Sequence, residues 1–150
     1  MTDGPDSPPK FAAASPRDRL ERAAAGLVYS SEGDVPFTFV ELAPAGVAEN
    51  APLTAAVVAR LAGAPADARI EERSLDVFLA RHRTHVDPAD VQSQALRPRY
   101  DALAAELRAT LRDLRVVRVG VPGQAEVRCF LVGRDARGAV SGLATSAIET

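Results

Sequence analysis

The sequence has 150 residues, with 18 basic and 20 acidic side chains and a formal net charge of −2 at pH 7. This length suits one domain with one core, and the charge leaves no positive excess to neutralise phosphates, so direct nucleic-acid binding is disfavoured. A single cysteine excludes a disulfide framework and a zinc site built on several thiolates. Because neither a secretory signal pattern nor an apolar run of membrane-spanning length occurs, we expect a soluble, cytoplasmic protein.

The N-terminal segment mixes Pro, Gly, Ser and Asp without a period, and such a segment buries too little to offset its ordering entropy. We therefore predict a disordered tail over 1–14 and one folded domain over 15–150. Ser15 followed by Pro16 supplies an N-cap and an N1 proline. These residues predict a first helix that closes near Gly26.

The next part of the chain predicts a loop and then strands and helices in alternation. The turn-like SSEGDVP at 30–36 is expected to be an exposed loop, and FTFVEL at 37–42 is rich in aromatic and β-branched residues, which favours a strand. A short helix is expected over 53–61 and a strand over 68–73. These two predictions rest on the weakest local patterns in the chain.

Helical signals dominate the following segment. Ser74 is a candidate cap for a short helix over 75–81, and Asp87 signals another helical start. Pro98 predicts a boundary, because an internal proline loses a helix hydrogen bond. The clearest amphipathic helix follows, with apolar residues at spacings of three and four: Tyr100, Leu103, Leu107, Leu111 and Leu114.

The C-terminal part predicts strands over 116–119, 125–132 and 139–148, with the loop RDAR joining the last two as an antiparallel hairpin. Helices followed by such a meander predict an α+β domain. The glycines of this part match neither the Walker nor the dinucleotide spacing, and we expect them to be turn residues: Gly120, Gly123, Gly133, Gly138 and Gly142.

Candidate catalytic and metal-binding residues are few. His82 and His85, with Asp87 nearby, have a spacing that could suit a metal ion. Without a third histidine or a nearby cysteine, solvated polar residues at a helix end are the better interpretation. Cys129 alternates in phase with apolar neighbours, which predicts a buried structural thiol rather than a nucleophile. We therefore expect no enzyme, no catalytic residue, no cofactor and no metal site in this chain.

Two acidic features are more informative. Glu32 and Asp34 lie in the loop at 30–36, where an acidic pair is usually solvated surface. The printed sequence stops at Glu149 and Thr150, directly after a predicted strand. A rigid sheet would then project a carboxylate and a threonine hydroxyl instead of a flexible tail.

The sequence resembles the nuclease A inhibitor-like family, whose members block a sugar-nonspecific endonuclease. The matching parts are AAAGLVYSSEGDVPFTFVEL at 23–42 and VVRVGVPGQAEVRCFLVGRDARGAVSGLATSAIET at 116–150. The resemblance implies an α/β/α sandwich with a mostly antiparallel central sheet that plugs the active-site cleft of a metal-dependent nuclease. It also implies that Thr150 approaches the nuclease's divalent cation and that Glu32 meets a basic residue of the substrate channel. Glu149 and Asp34 are the acids beside these two contacts.

The resemblance leaves two other hypotheses open. The segments 43–69 and 86–99 match the family pattern poorly, which allows an interaction module on the same scaffold with a different protein partner. A small metal-dependent enzyme would instead use His82, His85 and Asp87. Inhibition of a partner nuclease remains the leading interpretation.

Overall fold

The computed structural model describes residues 14–46 and 51–149. The tail predicted at 1–14 lies outside these residues except for Ala14, and Thr150 also lies outside them. In chain order the elements are α1 (Pro16–Ala24), β1 (Val28–Ser30), β2 (Asp34–Pro36), β3 (Thr38–Ala43), α2 (Ala55–Leu61), β4 (Arg69–Arg73), α3 (Leu75–Phe78), α4 (Ala80–Arg83), α5 (Val91–Thr110), β5 (Arg112–Gly120), β6 (Glu126–Arg134) and β7 (Val140–Ile148). In the described ranges, no helix has the length and apolar character needed to cross a membrane.

The strands form one large and one small sheet. The large sheet has five strands in the order β3-β7-β6-β5-β4, and each neighbouring pair is antiparallel. β1 and β2 form a separate antiparallel hairpin. The predicted α+β class and the mostly antiparallel sheet are therefore confirmed.

The alternation of β6 explains why helices pack on both faces of the large sheet. Cys129 and Leu131 belong to a core shared with α1, α3 and α5. Phe130 and Val132, which point the other way, belong to a second core with α2. This is the alternation that a pleated strand requires, and it places Cys129 in phase with apolar neighbours, as predicted. Each fully buried large apolar side chain stabilises the fold by roughly 1.5 to 3 kcal/mol.

The first helix forms where its capping residues predicted it. The hydroxyl of Ser15 accepts a hydrogen bond of 3.1 Å from the N–H of Asp18, and Pro16 occupies the first turn. Leu20 and Ala24 bury the inner face of the helix. Gly26 follows with φ of 77°, a left-handed conformation that costs glycine little. The start and end of α1 are thus fixed by local chemistry.

The boundary predicted at Pro98 is wrong, because α5 continues through this residue. An internal proline costs about 3 kcal/mol. The buried side chains of Tyr100, Leu103 and Leu107 together stabilise the helix by more than that, at roughly 1.5 to 3 kcal/mol each. Packing therefore outweighs the lost hydrogen bond.

The predicted end of this helix is also wrong. α5 ends at Thr110, and Leu111 already has an extended backbone with φ of −120° and ψ of 135°. Asp113 has φ of 57°, which a right-handed helix does not accommodate. Leu114 lies on β5 and still packs against the core next to α5. The apolar spacing continued because helix and strand face the same core.

Three smaller predictions need correction. The loop predicted at 30–36 contains the end of β1 and all of β2. Each of these strands has only three residues, which is too short to show an alternating pattern in the sequence. The helix predicted at 75–81 is two short helices, α3 and α4, divided at Leu79. Gly133 and Gly142 lie inside strands β6 and β7 rather than in turns. Close approach of the neighbouring backbones requires glycine there.

Candidate functional site

The hairpin turn, residues 31–33, lies against the end of β7. The N–H of Glu32 donates to the carbonyl oxygen of Ile148 at 3.3 Å, and the N–H of Ile148 donates to the hydroxyl of Ser31 at 2.8 Å. A Cβ atom on Gly33 would lie 3.2 Å from the Ile148 side chain. The structure thus brings Glu32 and the end of the last strand together, although Ser31 and Ile148 are 117 residues apart in sequence.

The hairpin is also tied to the strand along its length. The hydroxyl of Thr145 donates to the carbonyl oxygen of Val35 at 3.0 Å. Ser30 and Asp34 are directly opposite each other in the hairpin. Glu32 and Asp34 are both exposed, as the sequence predicted. They belong to a hairpin that is hydrogen-bonded to β7, and not to an irregular loop.

Helix α4 holds the hairpin from the other side. The guanidinium of Arg81 donates to the carbonyl oxygens of Ser30 and Ser31, both at 3.3 Å. The Nε2 atom of His82 accepts a hydrogen bond of 3.2 Å from the N–H of Ser30. The imidazole ring stacks on Tyr100, with centroids 4.1 Å apart. Two side chains of α4 therefore fix the backbone that leads into the turn.

Burial and the neighbouring Arg81 charge lower the pKa of His82, against a smaller opposing effect of Asp34. The ring is therefore neutral at neutral pH, which suits an Nε2 atom that accepts a hydrogen bond. His82, His85 and Asp87 do line one cleft of about 250 Å³. However, the Nε2 atom of His82 already accepts a hydrogen bond from the N–H of Ser30. The described part of the chain also contains no group of three side chains that could hold a metal ion.

Cys129 has the structural role predicted for it. Its side chain is fully buried on β6, and the thiol donates to the carbonyl oxygen of Val127 at 3.4 Å. Burial raises the pKa of this thiol, although the nearby Arg118 opposes the shift. A buried thiol that remains protonated is a poor nucleophile.

Glu149, predicted as a contact residue, is held by the sheet. Its N–H donates to the carbonyl oxygen of Ala125 at 2.8 Å, and its carboxylate forms an ion pair with the guanidinium of Arg118. Arg118 also donates to Glu71 at 3.0 Å. The Glu149 side chain is 53% exposed, whereas that of Arg118 is only 6% exposed. Glu149 therefore presents a carboxylate to solvent from an anchored position.

Sequence reasoning missed Arg118. The one signal that could have found it is its position as the single charged residue in VVRVGV at 116–121, where the neighbouring valines are buried. A charge on a buried strand requires a partner. The sequence does not identify that partner, because Glu149 is 31 residues away. A groove of about 520 Å³ beside the pair is lined by further charged residues: Arg69, Glu71 and Arg73.

Fold and site together define a small α+β protein that presents an anchored acidic end, composed of the hairpin turn, Asp34 and Glu149. The chain matches the model of the family described as nuclease A inhibitor-like protein over residues 15–150, and so it belongs to the nuclease A inhibitor-like family. Comparison with curated proteins gives no match. Membership supports a nuclease-inhibitor role, which requires no catalysis, and confirms the family resemblance of the sequence.

Proposed function

We infer that this chain inhibits a metal-dependent, sugar-nonspecific nuclease by inserting its acidic end into the active-site cleft. The family supports a nuclease as the partner. The observation that carries the mechanism is the pair of hydrogen bonds between the hairpin turn and Ile148. They fix the spacing between Glu32 and the end of β7 before binding, and such preorganisation reduces the entropy lost on association.

Each acidic contact has a defined chemical partner in this proposal. Glu32 accepts paired, charge-assisted hydrogen bonds from an arginine that would otherwise hold a substrate phosphate. Thr150, which follows the anchored Glu149, offers oxygen atoms to the nuclease's divalent cation or to its waters, since hard cations prefer oxygen ligands. The two contacts imitate two parts of the substrate and contain no phosphodiester bond to cleave.

The charge distribution agrees with a basic cleft as the binding partner. Glu32 and Asp34 are exposed, and the carboxylate of Glu149 is half-exposed. Carboxylates at the tip of a rigid end accelerate encounter with a positively charged channel and align the two proteins. The net charge of the whole chain is only −2, so this recognition is local to the acidic end and does not depend on global mimicry of DNA.

A titration tests the proposal. The untagged chain is added to a metal-dependent non-specific nuclease, and DNA cleavage is followed together with complex formation by size-exclusion chromatography. We expect stoichiometric loss of cleavage and a one-to-one complex, with a metal-independent ribonuclease unaffected as the control. Folded protein that neither binds nor inhibits the nuclease would contradict the proposal and favour the interaction module with a different protein partner.

A further inference from the structure

We propose that Arg118 is a positioning residue for the inhibitory end: by holding the carboxylate of Glu149, it fixes the position of this acid at the end of the sheet. This inference rests on the proposed function and deepens it. Arg118 lies on β5, two strands away from β7 in the sheet. It acts on the partner only through Glu149.

The position of Glu149 in the sheet makes this contact possible. Ala147 packs in the core that contains Cys129, and residues two apart in an extended chain face the same side. Glu149 therefore faces the side of Ala147. Arg118 is opposite Cys129 in the register between β5 and β6, so its side chain lies on that side as well. The ion pair follows from this shared face.

The guanidinium is itself held in place. Arg118 is opposite Glu71 in the register between β4 and β5, and its Nη1 atom donates to the Glu71 carboxylate at 3.0 Å. Burial is the largest single effect and opposes the charge on Arg118, but the interactions with Glu149 and Cys129 together outweigh it and raise the pKa of the guanidinium. A planar guanidinium with two carboxylate partners has little freedom to rotate. The charge that holds Glu149 is therefore fixed.

The backbone alone does not give the same restraint. The N–H of Glu149 donates to the Ala125 carbonyl oxygen, but this is the last described main-chain hydrogen bond of the segment, and chain ends fray. The Arg118 contact adds a second point of attachment, on a different strand. With both in place, the rotation of the backbone at Glu149 is restricted and its carboxylate keeps a defined position.

The variant Arg118→Met tests the inference and is expected to fold. Removal of one partner of an ion pair is most destabilising when the other charge is left buried, but the two carboxylates left behind here are 44% and 53% exposed and can be hydrated. Arg115→Met is the matched control. Arg115 lies on the same strand and pairs with Glu72 at 3.0 Å, without contact to Glu149. Thermal unfolding verifies that both variants are folded.

The first readout needs no nuclease. Hydrogen exchange at the Glu149 amide, followed by NMR, is expected to accelerate about tenfold or more in Arg118→Met and to be unchanged in Arg115→Met, because local opening becomes easier. Glu149→Gln breaks the same pair from the other side and should reproduce the acceleration, even if Arg118→Met fails to fold. Unchanged exchange in these variants would overturn the inference.

The second readout uses inhibition of the nuclease. In the full chain, Arg118→Met should weaken inhibition about tenfold or more. In a chain that already lacks residues 149–150, the same substitution should not weaken inhibition further. An equal loss in both backgrounds, or faster exchange with unchanged inhibition, would overturn the positioning role. Absence of inhibition by the wild-type chain would instead contradict the proposed function, and the exchange experiment would still decide whether Arg118 holds Glu149.

Discussion

The main-chain N–H of Glu32 donates a hydrogen bond to the carbonyl oxygen of Ile148. This bond connects the hairpin turn, which contains Glu32, to the end of the last strand, which leads into Glu149. In the proposed function, this connection reduces the entropy lost when the two parts bind the nuclease together. The predictions below separate the contributions of this site from those of the fold beneath it.

Glu32→Ala should weaken inhibition on the order of 2 kcal/mol, about 30-fold, because the nuclease's basic residue would be left buried without its partner. The main-chain hydrogen bond to Ile148 remains, so the hairpin turn should stay in place against β7. Inhibition constants from cleavage assays measure the effect. Glu21→Ala, which removes an exposed acid of α1, is the control and should retain wild-type potency. Equal potency of both variants would mean that Glu32 makes no contact that contributes to inhibition.

Deletion of Thr150, or fusion of a tag after it, should weaken inhibition by about tenfold or more, since a contact with the metal or its waters is lost or blocked. The fold should be unaffected, because the described hydrogen bonds of the segment involve Ile148 and Glu149. Inhibition and denaturant unfolding are measured on the same preparations. A tagged chain with undiminished potency would count against the terminal contact.

The stability of the protein should fall as the pH decreases from about 6.5 towards 5, the range in which histidine titrates. The pKa of His82 in the folded chain is lowered, mainly by burial, so the unfolded chain binds more protons in this range and acid favours unfolding. Urea unfolding at several pH values measures the effect. His82→Gln keeps a hydrogen-bond acceptor without titrating and should flatten this part of the profile.

The second histidine provides the matched control for this experiment. His85 is exposed, and His85→Gln retains the buried ring of His82, so the pH dependence assigned to that ring should persist in this variant. Carboxylates such as Asp76, whose pKa is lowered by its hydrogen bonds with Arg108 and Arg83, lose their contribution only at lower pH. A profile that depends on His85 and not on His82 would contradict the role assigned to the buried ring.

Gly142→Ala should destabilise the protein by about 3 kcal/mol or more, as expected for severe overpacking. A Cβ atom there would lie 2.0 Å from the carbonyl oxygen of Leu131 and 2.8 Å from the Cα atom of Val132, so two paired strands would have to separate. Gly120→Ala is the control, because a Cβ atom there would make only ordinary van der Waals contacts, with the Val127 side chain at 3.8 Å and the carbonyl oxygen of Arg69 at 4.0 Å. The free energies of unfolding of both variants, from urea titrations, decide the prediction.

Much of the fold could be predicted because its signals are local. Ser15 and Pro16 define the start of α1 within one turn, and the alternation around Cys129 identifies both faces of β6. Where the prediction failed, tertiary packing prevailed over a local rule. Pro98 should end a helix, but the buried stripe from Tyr100 onwards outweighs the hydrogen bond that the proline removes.

The sequence by itself determined the family, through its resemblance to known members. It also determined the fold class, the strands of the C-terminal meander and the exposed acids Glu32 and Asp34, because caps, alternation and charge are properties of neighbouring residues. Only the tertiary structure decided that Ser31 anchors Ile148, that His82 supports the hairpin and that Arg118 holds Glu149. These contacts join residues 117, 52 and 31 positions apart. No pattern of short range encodes such pairs, since they exist only once the sheet and its helices have packed.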